Sequence, residues 1–116
     1  MKVAIIGSRN LNVNIEVYLP KDISLIVSGG ARGIDTLAEK YADKNEISKL
    51  IFLPDYKRHG KVAPLIRNRQ IVDNADIVIA FGDGTSRGTK YTIDYAQKCG
   101  IKVVVHLLSR ETKKQH

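Results

Sequence analysis

Residues 25–42 read LIVSGGARGIDTLAEKYA, and the change of pattern inside this stretch decides the architecture. Leu25, Ile26 and Val27 run as a short apolar strand into Ser28-Gly29-Gly30. From Gly33 to Lys44, Ile34, Leu37, Ala38, Tyr41 and Ala42 recur at helical spacing and leave Glu39, Lys40 and Asp43 for solvent. Strand, glycine turn and helix in that order make one βα unit. The two glycines carry two readings: they supply unusual dihedrals for the turn, or they leave room for a group that must approach the backbone.

The same alternation extends to both ends of the chain. Val3 to Ile6 is a short buried strand, and Asn14 to Leu19 is predicted as a brief helix stopped by Pro20. Ser24 to Val27 is the second strand and Leu50 to Leu53 the third, ending at Pro54-Asp55. After a basic loop, Val62, Leu65, Ile66 and Val72 mark a further helix, and Asp76 to Phe81 is the fourth strand. A helix over Thr89 to Lys98, ended by Gly100, leads to a last strand at Lys102 to His106. Five β-branched runs joined by helical crossovers predict a Rossmann-like, doubly wound α/β domain. Its sheet is mainly parallel and five-stranded, with helices on both faces. We assign residues 1–108 to this one domain and read 109–116, SRETKKQH, as a basic, frayed tail.

A chain of 116 residues, 43% hydrophobic and 27% charged, has the composition of a globular protein that needs no disulfide or structural metal. No apolar run approaches the roughly 20 residues that cross a bilayer. The N-terminal run Val3 to Ile6 is too short for a secretory signal, which predicts a cytoplasmic protein with no membrane contact. The single cysteine, Cys99, is expected to be a buried thiol. Nineteen Lys and Arg against twelve Asp and Glu give a net charge of +7, which favours anionic partners. The most concentrated basic segment is Lys57 to Arg69, with Lys57, Arg58, Lys61, Arg67 and Arg69 and no acid among them.

Several familiar chemistries are missing from the motifs. A dinucleotide fingerprint needs GxGxxG after the first strand and an acid at the end of the second; here the first turn is GSRNLN and Ser28 follows the second strand. The turn GDGTSRGTK, 82–90, lacks the Gly-Lys-Ser/Thr order of a P-loop, because Thr89 precedes Lys90. His59, His106 and His116 are scattered and form no ligand set, so no metal is expected.

Two glycine-rich turns that each open a helix remain. Helix N-termini offer unpaired N–H groups and partial positive charge, and glycine lets an anion reach that backbone. Ligands of doubly wound sheets collect at the carboxyl ends of the strands. That rule puts Gly7-Ser8-Arg9, Ser28 to Gly33 (with Ala31 and Arg32) and Gly82 to Thr89 on one rim. The expected phosphate-binding loops therefore include Ser8, Ser28, Gly29, Gly30, Ser86, Gly88 and Thr89, with Arg9 and Arg32 either neutralising phosphate or merely solvated. Asp35 reads equally as a helix cap and as a ribose ligand, and Asp83 as a ligand or as the stabiliser of its own Asp-Gly turn. Tyr56 is a candidate to stack on a base above the rim. Arg67 and Arg69 point about 200° apart on a helix, so one ligand takes one of them. Arg67 is the choice, with Asn68 beside it, since Arg69 continues the Val62, Leu65, Ile66 stripe.

With these residues in view, SGGARGIDTLAEKYA and GKVAPLIRNRQIVDNADIVIAFGDGTSRGTKYTIDYAQKCGIKVVV resemble the SLOG superfamily, whose members include the Smf proteins and the Lonely-guy phosphoribohydrolases. The combination of GSR, GGARGID, RNR and SRGT is most similar to the small stand-alone YspA-like branch. The resemblance implies a nucleotide or nucleotide-derived ligand on the rim and a homodimer. It also implies three functional readings: a nucleotide-binding module, such as a sensor; a nucleotide hydrolase cutting an N-glycosidic bond; and single-stranded DNA binding as in Smf proteins. Lonely-guy enzymes use an arginine matched by Arg67 and a glutamate three residues beyond the Gly-Thr pair; that position is Thr92, which is no acid or base. Asp94, two residues on, faces away from it. Phe52 and Phe81 lie in predicted strands and read as core rather than as stacking platforms for a strand of DNA.

Overall fold

Lys2–Gly7 (β1) is the middle strand of a five-stranded, all-parallel sheet in a computed structural model that describes residues 1–9, 13–82 and 86–107. Asp83 and the tail 109–116 lie outside the described residues. The other strands are Leu25–Ser28 (β2), Ser48–Ile51 (β3), Ile77–Gly82 (β4) and Lys102–Leu107 (β5), in the spatial order β3-β2-β1-β4-β5. β1 pairs with β2 from Lys2↔Leu25 to Ala4↔Val27, and with β4 from Val3↔Ile77 to Gly7↔Phe81. This is the Rossmann-like arrangement that the alternating pattern predicts.

Alternation along β1 and β4 builds two cores. Val3, Ile5, Ile26, Ile79 and Phe81 face Ile34, Ala38 and Ala42 of the helix Ile34–Lys44 (α1). Ala4, Ile6, Val27, Val78 and Ala80 face Ile71 and Val72 of Ala63–Asp73 (α3) and Ala96 of Arg87–Lys98 (α4). A one-turn helix, Tyr56–His59 (α2), precedes α3 and is capped by Asp55, whose Oδ1 accepts the Arg58 N–H at 3.1 Å. Helices thus cover both faces, and every strand buried on both sides reads as a continuous apolar run.

Four local expectations are corrected. The brief helix expected over Asn14 to Leu19 is a 3₁₀ turn at Glu16–Tyr18, and Tyr18 packs on Phe81 and His106, with ring centroids 5.7 and 4.4 Å apart. β3 starts and ends earlier than read, so Phe52 lies beyond the strand and is only half-buried, whereas Phe81 is fully buried. The inward face of α3 is Ala63, Arg67, Ile71 and Val72 rather than Val62, Leu65 and Ile66; Val62 is exposed before the helix begins. Cys99 is exposed, because it caps the carboxyl end of α4 after the last residue that meets the sheet.

Arg69 faces outward, opposite Arg67. Its Nε donates to the Tyr91 hydroxyl at 2.7 Å, and its guanidinium lies 5.8 and 5.7 Å from the Tyr91 and Tyr95 rings. The Tyr95 hydroxyl donates to Asp73 Oδ1 at 2.8 Å, and that bond is the main reason its phenol is pushed up to about 12. These contacts tie α3 to α4 on their solvent side.

Candidate functional site

Strand order reverses between β1 and β4, and a crevice forms at such a switch point because the chains leaving the two strands diverge to opposite faces. Here a cavity of about 400 Å³ opens at their carboxyl ends. The β1 turn contributes Gly7, Ser8 and Arg9, and the start of α4 contributes Ser86, Gly88 and Thr89. α3 contributes Arg67 and Asn68 with Pro64, Leu65 and Ile71, while Ala31 and Asp35 enter from the turn after β2 and the first turn of α1. Ile6 and Thr92 complete the lining.

Arg67 is the most constrained charge in this cavity. It is 8% exposed, its Nη1 donates to Gly29 O at 2.6 Å and Phe52 O at 3.4 Å, and its Nε donates to Asn68 Oδ1 at 2.8 Å. Burial pulls the guanidinium down from its usual value, Asp35 and Tyr56 push it back up, and the like charge of Arg9 lowers it. An arginine keeps its charge in spite of such burial, so Arg67 is a fixed cation.

Gly29 makes that seat possible. A Cβ there would stand 2.7 Å from Arg67 Nη1, 3.0 Å from its Cζ and 3.0 Å from Asp35 Oδ2. The next residue, Gly30, has φ +71°, a conformation that side chains other than glycine's rarely adopt. The pair thus divides the labour: Gly29 clears space for two charged side chains, and Gly30 turns the backbone.

Asp35 is held by its own turn, with Oδ2 accepting the Ala31 N–H at 3.1 Å. Burial raises its carboxyl above the usual aspartate range, against the opposing pull of the Ala31 N–H, the Ser28 hydroxyl and Arg67. The Ser28 hydroxyl is itself buried and reaches Ile5 O at 3.2 Å. On the opposite wall Ser86 caps α4: its Oγ accepts the Thr89 N–H at 3.3 Å and the Thr89 hydroxyl at 3.1 Å. Thr92 donates to Gly88 O at 2.8 Å, one turn back in its own helix, and Asp94 is exposed on the far side.

Of the residues singled out in the sequence, Gly7, Ser8, Arg9, Ala31, Asp35, Arg67, Asn68, Ser86, Gly88 and Thr89 meet around one cavity. Ser28, Gly29, Gly30, Arg32 and Gly33 are not in its lining: the first two lie beneath Arg67 and Asp35, and Arg32 is exposed. Sequence reasoning left out the apolar wall of Ile6, Pro64, Leu65 and Ile71, and left Thr92 out of the site. Spacing carried a signal for Thr92, because Gly88 and Thr92 are four apart and share a helix face.

The sequence profile of the YspA, cpYpsA-related SLOG family matches residues 1–59, half of the chain. The Gene 61 protein of Mycobacterium phage D29 is 36% identical over 86 residues, which cover 69% of each chain. The chain belongs to the YspA, cpYpsA-related SLOG family. No solved structure matches it at a significant level. Membership of this SLOG family points to nucleotide-related ligands in general. The cavity suits such a ligand in sign and size: two guanidinium groups face one carboxylate, and its volume is at the lower end of the roughly 300–1,000 Å³ of small-molecule sites. Among the described residues no cluster of His, Cys, Asp and Glu has the make-up of a metal site, and no helix is long and apolar enough to cross a membrane.

Proposed function

We propose that this cavity binds a nucleotide or nucleotide-derived ligand by its phosphate and returns it unchanged, as a sensor or carrier would. The observation that supports this reading is the donor count at Arg67. A guanidinium has five N–H groups, and Gly29 O, Phe52 O and Asn68 Oδ1 engage Nη1 and Nε. None of these three bonds uses Nη2, and Arg67 lines the cavity, so donors of a held guanidinium are left for a ligand. Arg9 brings a second positive charge, and the α4 N-terminus adds backbone N–H groups and partial positive charge. Asn68 and Asp35 supply acceptors for sugar hydroxyls.

Calorimetric titration with nucleoside monophosphates, ADP-ribose, NAD and a short oligonucleotide tests the reading. Binding of at least one mononucleotide, weakened by Arg67→Ala and with no product by chromatography, supports it. Failure of every nucleotide to bind overturns it.

One observation favours hydrolysis as a second reading. Asp35 is a buried carboxyl whose affinity for protons is raised, as a general acid requires. Release of free base or ribose phosphate, lost in Asp35→Asn, would favour that reading over simple binding. The oligonucleotide arm separates strand binding, which would weaken steeply with salt.

A further inference from the structure

Three of the exposed large apolar side chains fall within ten residues between β3 and α3: Leu53, 67% exposed, Tyr56, 56%, and Val62, 51%. Lys57, Arg58 and Lys61 are interleaved with them and are also exposed. Aromatic and aliphatic surface set among cations is the composition of a nucleobase platform, because every base offers a π face and a phosphate lies close to it.

The position of this segment matters as much as its composition. At one end, the Phe52 carbonyl accepts from Arg67. At the other end, Pro64 and Leu65 line the cavity. Leu53 rests on the glycine turn after β2, where a Cβ on Gly30 would stand 2.7 Å from Leu53 Cδ2. Tyr56 is near enough to Arg67 for its phenol to favour the charged guanidinium. The turn that carries Tyr56 is pinned by two bonds to Asp55: Arg58 N–H to Oδ1 at 3.1 Å and His59 N–H to the backbone oxygen at 2.9 Å. An exposed aromatic ring is thus held on a short, braced turn beside the buried cation of the cavity.

We propose that Tyr56, flanked by Leu53, is the stacking ledge for the base of the ligand whose phosphate the cavity holds, so that recognition is divided between a buried anion seat and an open aromatic shelf. The inference rests on the nucleotide-binding reading above. Because the ledge offers a flat face and surrounding charge, it discriminates weakly among bases but strongly between a nucleotide and a bare sugar phosphate.

The experiment compares AMP, GMP, CMP and UMP with ribose 5-phosphate by calorimetric titration of the wild type, Tyr56→Ala and Tyr56→Phe. The wild type should bind the best nucleotide roughly ten- to a hundred-fold more tightly than ribose 5-phosphate, in line with the value of one base–aromatic stack. Tyr56→Ala should remove that advantage and leave ribose 5-phosphate unchanged, whereas Tyr56→Phe should keep it. Equal affinity of the wild type for nucleotides and ribose 5-phosphate overturns the ledge and leaves the phosphate seat standing. Equal weakening of both ligand types in Tyr56→Ala also overturns it, because Tyr56 then acts only through Arg67. If neither ligand class binds, the ledge falls together with the nucleotide-binding reading. Unchanged thermal midpoints in the two variants exclude misfolding as the source of any loss.

Discussion

Arg67 Nη1 donates to the carbonyl oxygen of Gly29 at 2.6 Å across 38 residues of sequence, and the absence of a side chain on Gly29 is what allows the approach. The interaction joins the turn after β2 to the middle of α3, so Gly29 shapes the site without lining it.

Gly29→Ala therefore tests the seat. The new Cβ would lie 2.7 Å from Nη1, which forces Arg67 or the turn to move. We expect a loss of about 1–3 kcal/mol in stability, as for other overpacked buried positions. Nucleotide affinity should fall with it. Gly30→Ala is the comparison: its strain at φ +71° lowers stability by about 1–3 kcal/mol, and its Cβ meets Leu53 and Ile51 rather than Arg67, so any loss of affinity there comes through Leu53 and not through the seat. Thermal unfolding and titration on both variants separate the two effects.

Replacing Arg67 by lysine keeps the charge but not the geometry. One ammonium cannot serve Gly29 O, Phe52 O and Asn68 Oδ1 from the positions that Nη1 and Nε occupy while also reaching a ligand. Arg67→Lys should lose about 1.5–3 kcal/mol of ligand binding, the value of hydrogen bonds to charged groups. Retention of wild-type affinity would mean that only charge matters at this position.

Asp35 makes a pH prediction of definite sign. Its folded value is raised above 3.8, mainly by burial, with Glu39 adding to the rise and the Ala31 N–H, Ser28 and Arg67 opposing it. The native state therefore binds the proton more tightly than the unfolded chain, so this stabilisation is complete below about 3.8 and is lost as pH climbs through the folded value. Asp35→Asn, whose side-chain oxygen still accepts the Ala31 N–H, should be more stable than the wild type at neutral pH. The difference should close below pH 3.8. Chemical denaturation at pH 3 and pH 7 measures it.

Ser86 separates stability from binding. Ser86→Ala removes the acceptor for the Thr89 N–H and should cost about 0.5–2 kcal/mol. Ser86→Asp restores the cap and the stability but brings a carboxylate to the cavity wall. Anion binding should then be weaker in Ser86→Asp than in the wild type, although the helix is equally well capped.

Much of this was legible in the sequence, for physical reasons that differ from residue to residue. The strand runs and the 3.6-residue period of 34–44 report local packing, so β1 to β5 and α1 follow from the pattern within a residue or two at their ends. Arg67 stands out in the sequence because Arg69 reads as part of an apolar stripe, yet the structure buries Arg67 on the inward face and exposes Arg69. Spatial strand order was not legible. The sequence puts the turn after β2 on the rim, but only the β3-β2-β1-β4-β5 order shows that β1 and β4 flank the cavity while β2 stands one strand away. That is why Ser28 and Gly29 act from beneath. The inward face of α3 was misread because Arg67 is buried there among apolar residues, and an apolar pattern cannot reveal a cation that its fold has chosen to bury.

The outer clamp of Arg69, Tyr91, Tyr95 and Asp73 has a mechanical consequence for what the cavity admits. α3 and α4 form two of the cavity walls, and the clamp joins their backs as a spring joins the arms of a clothes peg. A ligand too wide for the gap must stretch polar contacts on the solvent side before it can enter. The spacing of the jaws thus depends in part on side chains that lie outside the cavity's lining.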